Sequence, residues 1–431
     1  MLVFLFFIIC CLQTIRMYLS YNFLTNNCLE KYKNQKQKMF LLIPVYNEQK
    51  VIKESVEHFS QFADDDTHVI FITTDKEKKN GSQLTTRDIL ETLSSRYCFT
   101  VINCPIKTNA VMAHQLNYAI KKIYKEYQNN FIIGVYNVDS RINKNTLLAA
   151  KKQLGNKKKC VVQQYTIYNI PPQSVLSHIS LWQTRWTLHF ELGRLLFDKM
   201  ILKNIYEKCA LCQIFKPFHY VIGHGLFMDY NTWQNVSGFP QDEPNEDAFL
   251  GLMLYFNNYE INTIPILEYA EIAQNIKVYI KQQSVWFNGP LFAFRYLQKA
   301  LSCKNNGDIK RTKIESNFLF SFFGAVKLYC HALYWLLGPI IIWLIAPCYY
   351  IYNGELYSFV LWIILAVYHC YFLNLFAYHI IKKTQGYSNC DIGNVYTSVI
   401  AYLLHSVGPI YGLYKTISGK NTISNKYKTE K

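Results

Sequence analysis

Acidic residues are scarce in this chain. Its 431 residues carry 29 Asp+Glu against 45 Lys+Arg, a formal net charge of +16. Charge of either sign is missing altogether from two runs near the C-terminus, Leu328–Tyr352 (LYCHALYWLLGPIIIWLIAPCYYIY) and Leu356–Ile381, which only the tripeptide NGE separates. Roughly 20 apolar residues suffice for a helix to cross a bilayer, and two such lengths in tandem argue against a buried core helix. The N-terminal MLVFLFFIICCL lacks both a basic leading region and a small-residue cleavage site, which speaks against a signal peptide and for an uncleaved anchor over residues 1–22.

Further absences narrow the function. The basic residues form no single stripe interleaved with aromatics, so the positive charge does not read as a nucleic-acid surface. It falls instead at membrane flanks: Lys31, Lys33, Lys36 and Lys38 after the anchor, Lys310, Arg311 and Lys313 before the tandem runs, and Lys382 and Lys383 after them. NGE carries no Lys or Arg, so the positive-inside rule puts the large middle region on the cytoplasmic side. Thirteen cysteines are scattered, and one CxxC (Cys209, Cys212) has no second pair. His219 and His224 are the nearest further zinc ligands, a weak pattern beside plain reduced thiols. There are no repeated halves and no ionisable pair at mid-membrane, against a transporter. No Gly-rich basic loop follows the first strand, against a nucleotidyltransferase.

What is present is an alternation of short apolar runs and helical patterns. Met39–Val45, Val69–Thr73, Thr100–Asn103 and Phe131–Tyr136 read as buried strands, with helices over Glu48–Phe62 and Ala110–Tyr127. Val161–Thr166 reads as a further strand. This is the pattern of an α/β, mostly parallel sheet with helices on both faces. Such sheets bind ligands beyond the carboxyl ends of their strands. The residues there are YNE (Tyr46–Glu48), TTD (Thr73–Asp75) and NVDS (Asn137–Ser140). Asn137 and Asp139 alternate at a strand exit, where hard oxygen ligands suit Mg2+ or Mn2+; an Asx turn is the plainer reading of the same residues. Within Gly238–Gly251 (GFPQDEPNEDAFLG) acids crowd together, Asp242, Glu243, Glu246 and Asp247 preceding an apolar helical run. On this segment alone helix capping is the plainer reading, and a general base at a helix start the functional one.

In combination these motifs resemble those of membrane-embedded family 2 glycosyltransferases of the GT-A fold, the group with cellulose and hyaluronan synthases. IPVYNE looks like the nucleotide-binding strand and loop, TTD like the acid contacting the nucleotide, and NVDS like the DxD metal motif. VIGHGLFMDYNTWQNVSGFP resembles the acceptor-side glycine segment, NED (Asn245–Asp247) the TED motif that supplies the base, and QQSVW (Gln282–Trp286) the QxxRW motif.

The resemblance implies catalytic Asp247 and Glu246, and donor-binding Pro44, Tyr46, Glu48, Asp75, Asn137 and Asp139. It also implies acceptor-binding His224, Gly225, Gln282, Gln283 and Trp286, and a Mg2+ or Mn2+ ion on Asp139. Glu246, Glu243 and Asp242 are expected to position Asp247 or to raise its pKa by like charge. Three positions depart: Asn137 replaces the first DxD acid, Met112 replaces the lysine of KAxxLN, and Val285 replaces the arginine of QxxRW.

The implied protein is an inverting glycosyltransferase acting from a nucleoside-diphosphate sugar on a glycan or lipid-linked acceptor. It would sit in a bacterial inner membrane with its catalytic domain cytoplasmic. The departures keep a second reading open, a non-catalytic sugar-nucleotide or glycan-binding partner subunit of a polysaccharide synthesis complex.

The expected layout is an anchor at 1–22, a GT-A domain at 39–300, a basic linker at 301–316, a C-terminal membrane region at 317–417 and a basic tail at 418–431. Within that region Val395–Leu413 either spans or lies bent at the interface, broken at Gly408-Pro409. Val285–Leu301 is expected to lie amphipathically on the membrane surface. Trp182 and Trp186 read as interface anchors, and Gln164 as a packed residue rather than an acceptor contact.

Overall fold

The computed structural model describes residues 1–26, 37–77, 84–107, 111–155, 159–171, 175–208, 211–219, 221–243, 245–302, 309, 313–386 and 394–419. Lys31, Lys33, Lys36, Cys209, Lys310, Arg311 and nearly all of the basic tail lie outside the described residues.

Seven strands form the main sheet: β1 (Met39–Pro44), β2 (Thr67–Thr74), β3 (Thr100–Cys104), β4 (Ile132–Val135), β5 (Cys160–Gln163), β7 (Leu226–Asp229) and β8 (Glu260–Thr263). Their order is β3-β2-β1-β4-β7-β5-β8, and β6 (Thr166–Tyr168) pairs with β9 (Glu268–Ala270) in a small second sheet. Every pairing is parallel except those of β7, which runs against both β4 and β5. The strands are apolar without alternation because both faces are covered. Phe40, Leu42, Ile70, Ile133 and Val135 pack into one core, and Leu41, Ile43, Phe71 and Ile132 into the core on the other side. The helix Met112–Tyr127 lays Ala113, Leu116, Ile120 and Ile123 on the first of these, a helical stripe at the expected spacing.

The strand expected over Val161–Thr166 is two strands. Gln164 sits between them because its side chain is committed elsewhere: its Oε1 accepts the Tyr136 hydroxyl at 2.6 Å. The chain therefore leaves β7 at this residue and pairs with β9 beyond it.

Among the described residues three helices are long and apolar enough to cross a membrane: Leu2–Asn26, Phe318–Tyr352 and Leu356–Thr384. The anchor thus runs about a turn past residue 22. Val395–Ile417 is one continuous helix despite Pro409, and it packs closely on Ile276–Leu291, the helix bearing QQSVW. Small residues make that approach possible. A Cβ on Gly408 would fall 2.4 Å from the Cβ of Gln283, and one on Gly412 2.8 Å from the Ser284 carbonyl oxygen.

A further helix, 175–206, runs beside the first membrane helix and carries two widened turns, Thr187–Leu192 and Asp198–Leu202. Trp182 on it is 1% exposed. Its ring lies 3.8 Å from the Arg185 guanidinium carbon and 4.5 Å from the Tyr402 ring. It is a core residue of the helical bundle and not an interface anchor. The surface helix expected over Val285–Leu301 is also different: it breaks at Phe292 into Ile276–Leu291 and Ala293–Leu301. The cations of the second piece turn toward protein acids, as described next.

Candidate active site

The loop after β1 is fixed by a residue that the motif reading passed over. Glu77 accepts from the Gln49 side-chain amide (2.8 Å) and the Thr86 N–H (2.8 Å) through Oε1, and from the Asn47 N–H (3.3 Å) through Oε2. Thr86 in turn accepts the Glu48 N–H at 2.9 Å. Tyr46, half-buried, has the Lys76 ammonium 5.1 Å from its ring centre. Pro44 closes β1 opposite Ile72. Asp75, just past β2, accepts from the Asn103 amide at 2.7 Å, and Asn103 accepts the Thr73 hydroxyl at 2.9 Å. The sequence signal for Glu77 was its place two residues after TTD.

Beyond β4 the chain turns tightly, with the Asn137 N–H donating to Ser140 Oγ at 3.2 Å and the Ser140 N–H to the Asn137 carbonyl at 3.1 Å. The turn buries Val138 and Ser140 and leaves Asn137 and Asp139 partly open on alternate positions. The turn and the alternating polar pair therefore coexist. Their oxygens form one carboxylate and one amide, an incomplete set for a divalent cation unless diphosphate and water complete it, as is usual for Mg2+. Among the described residues no group of three His, Cys, Asp or Glu is gathered for a metal. His219 instead bonds Asp198 at 2.8 Å, and burial holds its imidazole down at about 4.

The glycine segment is clamped from both sides by Gln163, whose Oε1 accepts the Ile222 N–H at 2.9 Å and whose Nε2 donates to the His224 carbonyl at 2.8 Å. Gly225 is buried with φ +63°, and its N–H donates to Val135 at 2.8 Å. It shapes the loop rather than lining open space. His224 Nδ1 lies 3.0 Å from Oε2 of the wholly buried Glu268.

Asp247 stands in the first turn of Glu246–Phe256, with its Oδ1 accepting the Ala248 N–H at 2.8 Å. A Cβ placed on Gly223 would lie 3.7 Å from Asp247 Oδ2 and 3.3 Å from Met112 Cε. Glycine segment, helix start and the methionine in the lysine position thus share one wall. Glu246 is buried. The Asn245 side-chain amide donates to the carbonyls of Val285 (2.8 Å) and Trp286 (3.1 Å), tying NED to QQSVW. On that helix Gln282 and Trp286 lie on the flank of Gly289, which meets Asn245 and Ala248. Gln283 does not: it is 1% exposed and packs against Gly408.

Asp242 and Glu243 take a different part from the one expected. Asp242 pairs with Lys299 at 2.6 Å, and Glu243 with Lys299 at 2.5 Å and Arg295 at 2.9 Å. Burial raises the Glu243 carboxyl while those cations lower it. These two acids staple Ala293–Leu301 to the loop. Asn117, from the MAHQLN stretch, fixes the same loop: its Oδ1 accepts the Phe239 N–H (2.9 Å) and the Trp233 indole N–H (3.0 Å).

The glycine segment links the two ends of the site, with the Gly225 N–H on Val135 at the end of β4 and Gly223 beside Asp247. The Tyr168 hydroxyl is pushed up by burial and by the charges of Glu191, Glu268 and Asp139. Glu191 in turn feels His224, Arg194 and Asp247.

The family model for glycosyl transferase family group 2 matches residues 159–376, just over half of the chain. The chain belongs to glycosyl transferase family group 2. It is accordingly a family 2 glycosyltransferase, and its mostly parallel sheet with one reversed strand is the GT-A architecture.

No curated protein matches its sequence. Among solved structures it is similar to the mannosyltransferase PcManGT from Pyrobaculum calidifontis, in complex with GDP-Man and Mn2+. That likeness has a TM-score of 0.49 and 13% identity over 95% of this chain and 100% of that one. It is also similar to S. aureus TarS 1–349 in complex with UDP, with a TM-score of 0.39 and 14% identity over 70% and 72% of the two chains.

Proposed function

We propose that this family 2 glycosyltransferase moves a sugar, with inversion, from a nucleoside-diphosphate donor to a hydroxyl of a glycan or lipid-linked acceptor. One observation carries the reading: a single glycine segment joins the two motifs, its Gly225 N–H bonding the Val135 carbonyl at the end of β4 at 2.8 Å, two residues before Asn137, while a Cβ on its Gly223 would lie 3.7 Å from Asp247 Oδ2.

Asp247 takes the proton from the acceptor hydroxyl. The oxygen attacks the anomeric carbon from the face opposite the diphosphate, and a single displacement without a protein nucleophile inverts that centre. Tyr46, Glu48 and Asp75, held by Glu77 and Asn103, take the nucleotide at the ends of β1 and β2. Asp139, with the Asn137 amide oxygen, would hold Mg2+ or Mn2+, which supplies positive charge against the diphosphate. Gln282 and Trp286 border the acceptor side; Gln283 and Gly225 support it from behind. The apolar helices and the Lys382-Lys383 pair fit a cytoplasmic site close to the bilayer, within reach of a lipid-borne acceptor.

The test is a thermal-shift panel of GDP-mannose, UDP-glucose and UDP-N-acetylglucosamine, each with and without Mn2+ or Mg2+, followed by turnover of whichever binds. A donor that binds and is turned over supports the transferase. Binding without turnover makes the chain a donor-binding subunit. In Asp139→Asn, the metal-dependent part of the shift is expected to vanish while the metal-free part stays. A metal response unchanged in that variant removes Asp139 as the ligand.

A further inference from the structure

Helix 175–206 carries a carboxyl that the motifs leave unused. Glu191 lies in the widened turn Thr187–Leu192 and hydrogen-bonds the Thr187 side chain. Its Oε2 is buried and has no hydrogen-bond partner among the described residues. With Tyr165, Phe190, Arg194 and His219 it lines a small cavity. The charges it feels come from several elements, Arg194 on its own helix, His224 in the glycine segment and Asp247 on the helix Glu246–Phe256, and it bears in turn on Tyr168 of β6.

A carboxyl kept for stability is normally paired at both oxygens, because an unmet buried acceptor costs free energy. Glu243 shows another way to hold a buried carboxyl, two cations, Lys299 and Arg295, on its Oε1. Glu191 makes no ion pair among the described residues; Thr187 is its hydrogen-bond partner, and the charge of a second carboxyl, Asp247, reaches it. Burial, the largest influence, pushes it up to about 7, opposed by Thr187, His224 and Arg194 and reinforced by Asp247. Perturbed carboxyls in a cleft with a like-charged neighbour mark functional sites.

We propose that Glu191 is a positioning residue for sugar transfer, a second carboxyl whose charge makes Asp247 the stronger base. The inference rests on the transferase reading above. With Glu191 protonated, Asp247 feels no carboxylate charge from helix 175–206. Once Glu191 ionises, repulsion between the two raises the affinity of Asp247 for a proton. The acceptor O–H bond then breaks toward Asp247 as the bond to the anomeric carbon forms and the diphosphate leaves.

The experiment is the pH profile of donor hydrolysis, with water as acceptor, by the purified full-length protein and by Glu191→Gln. GDP-mannose, UDP-glucose and UDP-N-acetylglucosamine serve as probes. Wild-type kcat/KM is expected to rise through about pH 7. Glu191→Gln should lose that rise and fall about tenfold below wild type at pH 8.

A melting-temperature series gives a readout that needs no turnover. The folded-state pKa of Glu191 is raised above its unfolded value. Its protonated form therefore stabilises the fold below the unfolded value of about 4.5, and that contribution is lost as pH rises through about 7. Wild-type Tm should drop relative to Glu191→Gln between pH 5 and 8. Superimposable activity profiles in an active wild type overturn the role of Glu191 and leave the transferase reading standing. A wild type that neither binds nor hydrolyses any of the three probes removes that reading, and this inference with it.

Discussion

Asp247→Asn is expected to lower transfer by about 10²- to 10⁴-fold while leaving donor affinity within about twofold. The geometry separates these two outcomes. Asparagine keeps an oxygen where Asp247 Oδ1 accepts the Ala248 N–H at 2.8 Å, so the first helical turn survives. What disappears is a site that can take a proton. Loss of an acid from a helix start costs only about 0.3–1 kcal/mol of stability, far too little to explain a thousandfold effect through unfolding. The check is product formation by wild type and variant on the same donor, beside a binding isotherm for that donor. Turnover at the wild-type level would remove Asp247 as the base.

The second large effect is structural. Gly225→Ala is expected to destabilise the protein by about 2–5 kcal/mol, a sum of left-handed backbone strain and overpacking. At φ +63° an added Cβ would stand 2.6 Å from the Gln164 carbonyl oxygen and 3.1 Å from Glu268 Oε2. Neither neighbour has room to give, since Gln164 and Glu268 are both wholly buried. Gly354 provides the control. It has φ +68° and nothing within 4 Å of its would-be Cβ, so Gly354→Ala costs only the backbone strain, about 1–2 kcal/mol. Thermal denaturation of both variants separates crowding from strain, and equal losses would mean that the glycine loop is not tightly held. Because Gly225 follows His224, its variant should also weaken acceptor use in whatever fraction remains folded.

β1 to β4 were plain in the sequence because each is a short apolar run closed by polar residues, a pattern that burial on both faces imposes; β7, β8 and β9, three or four residues long and each begun or closed by an acid, were not. The order NVDS, glycine segment, NED, QQSVW was equally readable. Partners supplied by distant segments were not. No local pattern announces that Glu77 binds the loop of Asn47 and Gln49, or that Asn117 holds Phe239 across more than a hundred residues.

The acids of GFPQDEPNED illustrate the same limit. They look like one cluster in sequence, yet Asp242 and Glu243 answer cations on Ala293–Leu301 while Asp247 faces Gly223. Gln282 and Gln283 are adjacent letters that a helix sends to different neighbours. Only the packing of Val395–Ile417 decides that Gln283 belongs to the seam. Trp182 misled for a related reason: an amphipathic ring suits a headgroup layer and a bundle interior alike, and the Arg185 guanidinium beside it is what fixes the interior.

The seam between Ile276–Leu291 and Val395–Ile417 leaves no slack, since neither Gly408 nor Gly412 could gain a methyl without collision. Any tilt of the last helix is handed on to its neighbour, and from there through the Asn245 amide to the turn that bears Asp247. The last helix thereby sets the pose of a turn far before it in the sequence, and a change in its lean would move Asp247 against Gly223.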